Sequence, residues 1–213
     1  MSAKYEAIIF DLDGVLCTTD RYHYLAWKAL ADREGIYFDE TINQRLRGVS
    51  RMESLEIILE RSKKAYTPSE KEEMAVYKND YYRELLKRMT PADLPADVRP
   101  TLDSLRSRGI LLGVGSSSKN TPLILSKLGL EDYFDAVADG NDITHSKPDP
   151  EVFLLAAKRL HRAPEQCLVV EDATAGIEAA CRGGFDAAGI GTAAGDERAV
   201  YHLENFGQLA AFL

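Results

Sequence analysis

The chain has 213 residues, 45% of them apolar and 28% charged, enough for one large domain or for a core carrying a smaller insert. Its 34 acidic residues outnumber 26 basic ones, for a formal charge of −8. That balance excludes the clustered cations of a dedicated nucleic-acid binder but not recognition of a small phosphorylated molecule, since a few local cations and one metal ion reverse the field inside a pocket.

Ala7-Ile8-Ile9-Phe10 is a short apolar run ending in acids and then Gly14, which predicts a buried parallel strand feeding a loop. Asp11 and Asp13 interrupt the apolar amino terminus, so Met1 to Leu16 reads as neither a signal peptide nor a membrane helix. From Thr18 to Met89 the spacing is helical, with no strand. Leu25, Ala26, Ala29 and Leu30 follow the 3.6 period, and Ser50 with Glu53 forms a capping box ahead of Leu55, Ile58 and Leu59. Thr67-Pro68 with Glu70 opens another helix through Met74, Tyr77, Tyr81 and Leu85; Thr90-Pro91 ends it, and 91–97 reads as a linker.

Beyond the linker, strands and helices alternate. Asp97 is placed to cap a helix through Leu105, closed by Gly109, ahead of the apolar run Leu111 to Val114. Thr121-Pro122 supplies a cap followed by proline at the first helical position, with Gly129 as the stop, and Ala136 to Ala138 is the next strand. Pro150 opens a helix from Glu151 to Leu160, Cys167 to Val170 is a strand, Thr174 to Arg182 is a helix running into Gly183-Gly184, and Ala187 to Ile190 is a strand. Gly191 to Glu197 has turn composition and receives no role. Such alternation predicts an α/β fold, a doubly wound parallel sheet, with an all-helical insert after the first strand. The expected core is 1–16 with 93–213, and the insert is 17–92. The odd count of cysteines, Cys17, Cys167 and Cys181, fits no metal spacing and reads as reduced thiols. A cytoplasmic protein is expected.

Four polar constellations sit at the ends of apolar strands, where open α/β sheets bind ligands. In Asp11-Leu12-Asp13-Gly14 the two acids are two residues apart and so share a side, an arrangement that calls for a cation or a proton between them. Mg²⁺ suits carboxylate oxygen and retains waters that a phosphate replaces. Ser116-Ser117-Ser118 with Lys119-Asn120 offers hydroxyls and loop N–H groups just before a helix, a phosphate-binding composition. In Ser146-Lys147-Pro148-Asp149-Pro150 the lysine precedes a proline-fixed backbone that directs its charge to the same edge. Glu171-Asp172 follows a strand too apolar to be exposed, which favours a metal site over a solvated pair.

The order of these pieces, DLDGV at 11–15, GSSSKN at 115–120, SKPDP at 146–150 and VVEDATAGI at 169–177, resembles the four motifs of the haloacid dehalogenase superfamily along the whole chain. The resemblance implies a Rossmann-like core with a helical cap. It implies Asp11 as a nucleophile that forms an aspartyl phosphate, and Asp13 as general acid and then general base. It implies that Ser116 and Lys147 bind the transferring phosphoryl group. Mg²⁺ is then held by Asp11, the Asp13 main-chain carbonyl, Asp172 and Glu171. Dehalogenating members lack an aspartate at the position of Asp13, so phosphoryl chemistry is expected.

Within that superfamily the cap resembles that of the β-phosphoglucomutases. His23 and Trp27 are four apart on one face of the first cap helix. Gly48-Val49-Ser50-Arg51, with Ser54 a turn later, places an arginine at a helix start, and Lys78 lies on the last long cap helix. Ser118-Lys119-Asn120 matches the mutase form of the second motif. The resemblance implies that these residues bind substrate, with Arg51 clamping the distal phosphate of a bisphosphate and His23 orienting Asp13. The implied reaction interconverts β-glucose 1-phosphate and glucose 6-phosphate through β-glucose 1,6-bisphosphate. A sugar-phosphate phosphatase is the alternative, with water as acceptor; a non-catalytic phosphosugar sensor is disfavoured, because pure binding needs no nucleophile and acid together. The expected partner is a small phosphorylated sugar, with no nucleic acid and no membrane, and the chain is expected to act as a monomer.

Overall fold

The computed structural model describes residues 4–46 and 49–212. The chain divides into two compact units, one formed by the residues up to Thr18 with those from Thr90 onward, the other by Thr19–Met89. Cys17 stays with the first unit because its carbonyl accepts the Gly14 N–H at 2.7 Å.

The first unit opens with β1 (Ala7–Phe10). The second unit follows, built from α1 (Asp20–Glu34), α2 (Glu40–Gln44), α3 (Arg51–Leu59) and α4 (Pro68–Leu86). The chain then returns through α5 (Val98–Ser107), β2 (Leu111–Gly115), α6 (Thr121–Lys127), β3 (Ala136–Ala138) and α7 (Glu151–Arg159). It finishes with β4 (Cys167–Glu171), α8 (Thr174–Arg182), β5 (Asp186–Ile190), β6 (Tyr201–Leu203) and α9 (Leu209–Phe212). The six strands form one sheet in the order β3-β2-β1-β4-β5-β6, every pairing parallel. The architecture is α/β, a doubly wound core with a helical second unit.

Alternation along β1 splits its side chains between the two faces of the sheet. Ile9 joins Val169, Ala187, Val152, Phe153 and Ile177 in a core under α7 and α8. Phe10 packs its ring 5.5 Å from Phe206 and 6.3 Å from Phe134. Both faces being covered, the strands are continuous apolar runs. The central position of β1 matters most: Phe10 stands level with Val114 of β2 and Val170 of β4. The next residues up, Asp11, Gly115 and Glu171, therefore leave three adjacent strands at one height. In the second unit, Trp27, Leu30, Phe38, Leu55, Ile58 and Met74 form the core, and Gly35 ends α1 at φ +67°.

Several expectations need correction. β6 is a short edge strand with one buried residue in three, so no apolar run announces it. Leu25 is 37% exposed, because the buried stripe of α1 runs through Ala26, Trp27, Leu30 and Ala31. Asp97 stands at the cap position of α5, but its side chain makes no cap hydrogen bond; its carboxylate accepts the Gly207 N–H at 3.2 Å. Asn120, not Thr121, is the cap residue of α6, and the Thr121 hydroxyl donates back to Ser118 O at 2.9 Å. The capping boxes at Ser50 and Thr67 form as expected.

Gly115 lies at the point where β2 meets α7, and a Cβ there would sit 2.7 Å from Phe153 Cδ1 and 3.2 Å from Ile9 Cγ2. Gly115→Ala is therefore expected to destabilise the protein by about 1–3 kcal/mol through overpacking. The urea midpoint will fall at unchanged m-value.

Candidate active site

Asp11 follows β1 directly, and its main-chain N–H extends the ladder to Val170 O at 2.9 Å. The residue is 7% exposed. Its Oδ1 meets Lys147 Nζ at 2.5 Å, and the same ammonium meets Glu171 Oε1 at 2.6 Å. Lys147 comes from the loop between β3 and α7, and its Nζ also stands 4.5 Å from the centre of the Phe153 ring. Burial works against the lysine charge, but the two carboxylates outweigh it and hold the pKa above the ordinary value. Burial pushes Glu171 up against the pull of Lys147. Asp172 is pushed up to about 7, first by burial and then by the charges of Glu171 and Asp11. One ammonium facing this many acids leaves the pocket with surplus negative charge.

Asp11, Glu171 and Asp172 each offer a carboxylate oxygen, and the three oxygens lie within 4.8 Å of one another. A set of hard oxygen donors around surplus negative charge fits a small divalent cation. Asp13 is half-buried and bridges to Cys17. Two glycines make the cluster possible. A Cβ on Gly14, which sits at φ +87°, would lie 2.1 Å from Asp172 Oδ2, and one on Gly176 would lie 1.9 Å from Glu171 Oε1. Glu171 Oε2 accepts the Ala173 N–H at 2.9 Å, so the start of α8 holds the carboxylate. The Thr192 hydroxyl donates to Asp172 O at 2.5 Å, which gives the 191–197 turn a contact with the site. Neither Gly176 nor Thr192 is marked as a site residue by the sequence analysis. The signal for Gly176 is a glycine inside a helix, where it costs about 1 kcal/mol against alanine and so calls for a packing reason.

The serine loop follows β2. Ser116 Oγ accepts the Ser118 N–H at 3.1 Å, and Ser118 Oγ accepts the Asn120 N–H at 3.2 Å. These turns curl the chain while leaving each hydroxyl proton free to donate. The Ser117 hydroxyl is buried and lacks a partner among the described residues. Ser116 and Asn120 are buried, whereas Lys119 is exposed.

The helical unit gathers a second group. Lys78 is 2% exposed, with Nζ 3.0 Å from His23 Nδ1, 4.6 Å from the Trp27 ring centre and 4.7 Å from that of Tyr82. The His23 and Tyr82 rings lie 4.2 Å apart. An ammonium only donates, so His23 Nδ1 accepts and a neutral ring carries its proton on Nε2. Burial, then the charges of Lys78 and Arg51, hold the His23 pKa well below its ordinary value. Arg51, at the start of α3, donates from Nη2 to Asn79 Oδ1 at 3.0 Å. Ser54 is buried, and Ser50 Oγ accepts the Glu53 N–H as a helix cap. Val49 is 39% exposed, Trp27 is buried in the unit's core, and Gly48 lies outside the described residues.

Gly176→Ala is expected to displace the Glu171 carboxylate and weaken divalent-cation binding about 10- to 100-fold, the usual cost of disturbing what supports a metal ligand. Isothermal titration of the metal-free protein measures it, with circular dichroism confirming the fold. His23 is expected to be neutral at pH 6.5, where a free imidazole is half protonated. Its folded pKa is depressed, so below the unfolded value near 6.5 the unfolded chain takes up a proton that the native state does not. Stability should therefore fall as pH drops below that value; ¹⁵N shifts of His23 that titrate near 6.5 would refute the assignment.

Residues 5–184 match the family model described as haloacid dehalogenase-like hydrolase. The chain is 44% identical to β-phosphoglucomutase of Bacillus subtilis over 87% of its own length and 83% of that protein. It is 34% identical to a phosphorylated carbohydrates phosphatase of Thermotoga maritima, covering 85% and 82%. The crystal structure of β-phosphoglucomutase from Clostridium difficile superimposes with a TM-score of 0.89 at 40% identity, covering 96% of this chain and 93% of that one. With its four motifs on adjacent strand ends, the chain belongs to the haloacid dehalogenase-like hydrolase family.

Proposed function

We propose that the protein is a Mg²⁺-dependent β-phosphoglucomutase, interconverting β-D-glucose 1-phosphate and D-glucose 6-phosphate through β-glucose 1,6-bisphosphate. The observation that carries the phosphoryl chemistry is the buried Lys147 ammonium joining Asp11 to Glu171 beside Asp172. Similarity to the mutases of Bacillus subtilis and Clostridium difficile, at 44% and 40% identity, supports sugar rather than water as the acceptor. So does Lys78: a lysine 2% exposed in a helical unit is not a solvated surface charge, and such residues are rarely buried without a task.

In the forward direction, phosphorylated Asp11 gives its phosphoryl group to the sugar 6-hydroxyl. The bond from phosphorus to the Asp11 carboxylate oxygen breaks as the bond to O6 forms, and Asp13 takes the hydroxyl proton. The bisphosphate then presents its other end. Asp11 attacks the 1-phosphate, the bond from phosphorus to O1 breaks, and Asp13 returns the proton to O1 as glucose 6-phosphate leaves. Lys147 and Ser116 hold the transferring group and offset its charge. Bound Mg²⁺, with Asp11, Asp172, Glu171 and the Asp13 carbonyl as its protein ligands, supplies further neutralisation of the phosphoryl oxygens. Ser118, Lys119 and Asn120 of the serine loop receive the phosphate that is not being transferred, and Arg51 on α3 is the phosphate-binding residue of the helical unit. Lys78 and His23 recognise the sugar. All of this is work for a cell interior, where phosphorylated sugars are kept.

The test supplies β-glucose 1-phosphate, Mg²⁺ and acetyl phosphate as primer, and compares glucose 6-phosphate with free phosphate. Glucose 6-phosphate is expected to dominate, and Asp11→Asn to abolish its formation. Phosphate release in excess, at a rate set by the sugar phosphate, would identify a phosphatase instead.

A further inference from the structure

The loop after β3 presses on the serine loop more closely than a connecting turn requires. Gly140 is buried, and a Cβ on it would stand 2.3 Å from Ser117 O and 2.9 Å from Lys119 N. Its N–H donates to Ser118 O at 3.2 Å. The Asn141 side chain donates from Nδ2 to Lys119 O at 3.1 Å and to Asp139 Oδ1 at 2.9 Å, and the Asn141 main-chain N–H reaches the same Asp139 oxygen at 2.7 Å. Asp139 is 5% exposed, and its own N–H donates to Asp142 Oδ2 at 3.0 Å. Asp142 in turn forms a two-pronged pair with Arg159 of α7, at 2.8 and 2.9 Å. A continuous set of contacts thus runs from α7 through 139–142 to the main chain of Ser117–Lys119.

We propose that Asn141, acting with Gly140, is a positioning residue that sets Ser118 and Lys119 for capture of the substrate phosphate that is not transferred. The proposal rests on the assignment of that phosphate to the serine loop. Three features point to positioning rather than to fold stability. Asn141 is exposed, so its hydrogen bonds carry little of the folding energy. The tie goes to the carbonyl of Lys119, the residue of the loop with an exposed charged side chain. Ser116, the first residue after β2, is anchored separately through its N–H to Ala138 O at 3.0 Å. Loosening the Asn141 tie should therefore disturb the outer part of the loop and leave the part beside Asp11 in place.

A contact made equally in ground and transition states affects KM and not kcat. Asn141→Ala is expected to raise the KM for β-glucose 1-phosphate about three- to tenfold, the worth of one net hydrogen bond, at unchanged kcat. Phosphorylation of Asp11 by acetyl phosphate, which has no second phosphate to hold, is expected to proceed at the wild-type rate. Gly140→Ala, which wedges the loop instead of untying it, should give the same pattern, and thermal unfolding of both variants reports on the fold. Parallel losses in the acetyl phosphate reaction and in kcat would overturn the proposal in favour of a structural role. Lys119→Ala separates the two levels of inference. If it raises KM while Asn141→Ala does not, the positioning role falls and the loop assignment stands. If neither variant moves KM, both fall.

Discussion

The site depends on one cation. Lys147 is the shared counter-charge of Asp11 and Glu171, two carboxylates that the register of β1 and β4 forces to one height. Buried acids that close are costly, and removal of the lysine would leave them uncompensated; breaking a buried pair in this way costs about 3–5 kcal/mol. The ammonium also rests on Phe153, whose ring abuts Gly115 at the end of β2 and lies 6.3 Å from Phe185. The packing that holds β2 against α7 is thus the packing that places the charge. A methyl group at Gly115 would press on the same ring that supports Lys147, so core volume and site electrostatics are not independent here.

Around that cation, space is made by what the side chains omit. Gly14 and Gly176 leave room for Asp172 and Glu171, where any Cβ would overlap a carboxylate. Gly140 does the same for the main chain of the serine loop. In each case glycine is selected by close approach, and at Gly14 by positive φ as well. The serines work in the opposite sense, filling local hydrogen-bonding needs so that a chain leaving a buried strand can turn without orphaned N–H groups. Ser117 is the exception, its buried hydroxyl unpaired among the described residues.

Most of the core was legible in the sequence because parallel strands buried on both faces are written as uninterrupted apolar runs, and chemistry collects where those runs stop. Asp11, Ser116, Lys147, Glu171 and Asp172 were each visible as a polar interruption. What could not be read was strand order, on which their convergence depends: nothing local says that β4 lies beside β1, with 156 residues between Phe10 and Cys167 in the chain. β6 escaped because an edge strand of three residues carries no run. Asp97 and Thr121 misled for a common reason: both suit a helix cap by composition, and each spends its side chain on a different backbone group. Gly140 and Asn141 were unreadable in principle, since their meaning lies in a neighbouring loop.

The helical unit was legible by spacing and not by partnership. His23 and Trp27 share a face of α1, as four-residue spacing requires, but the residue that joins them is Lys78, from a helix that begins more than forty positions later. That partner decides what His23 can do. With Nδ1 accepting from an ammonium, the ring offers a single N–H, on Nε2, and a nearby cation opposes any further proton. A histidine in this state donates a hydrogen bond and orients what it touches. It is a poor general base at either nitrogen, the first being occupied and the second already protonated. In the proposed mechanism, proton transfer to and from a sugar hydroxyl is the part of a carboxylate, Asp13, and that of His23 is recognition.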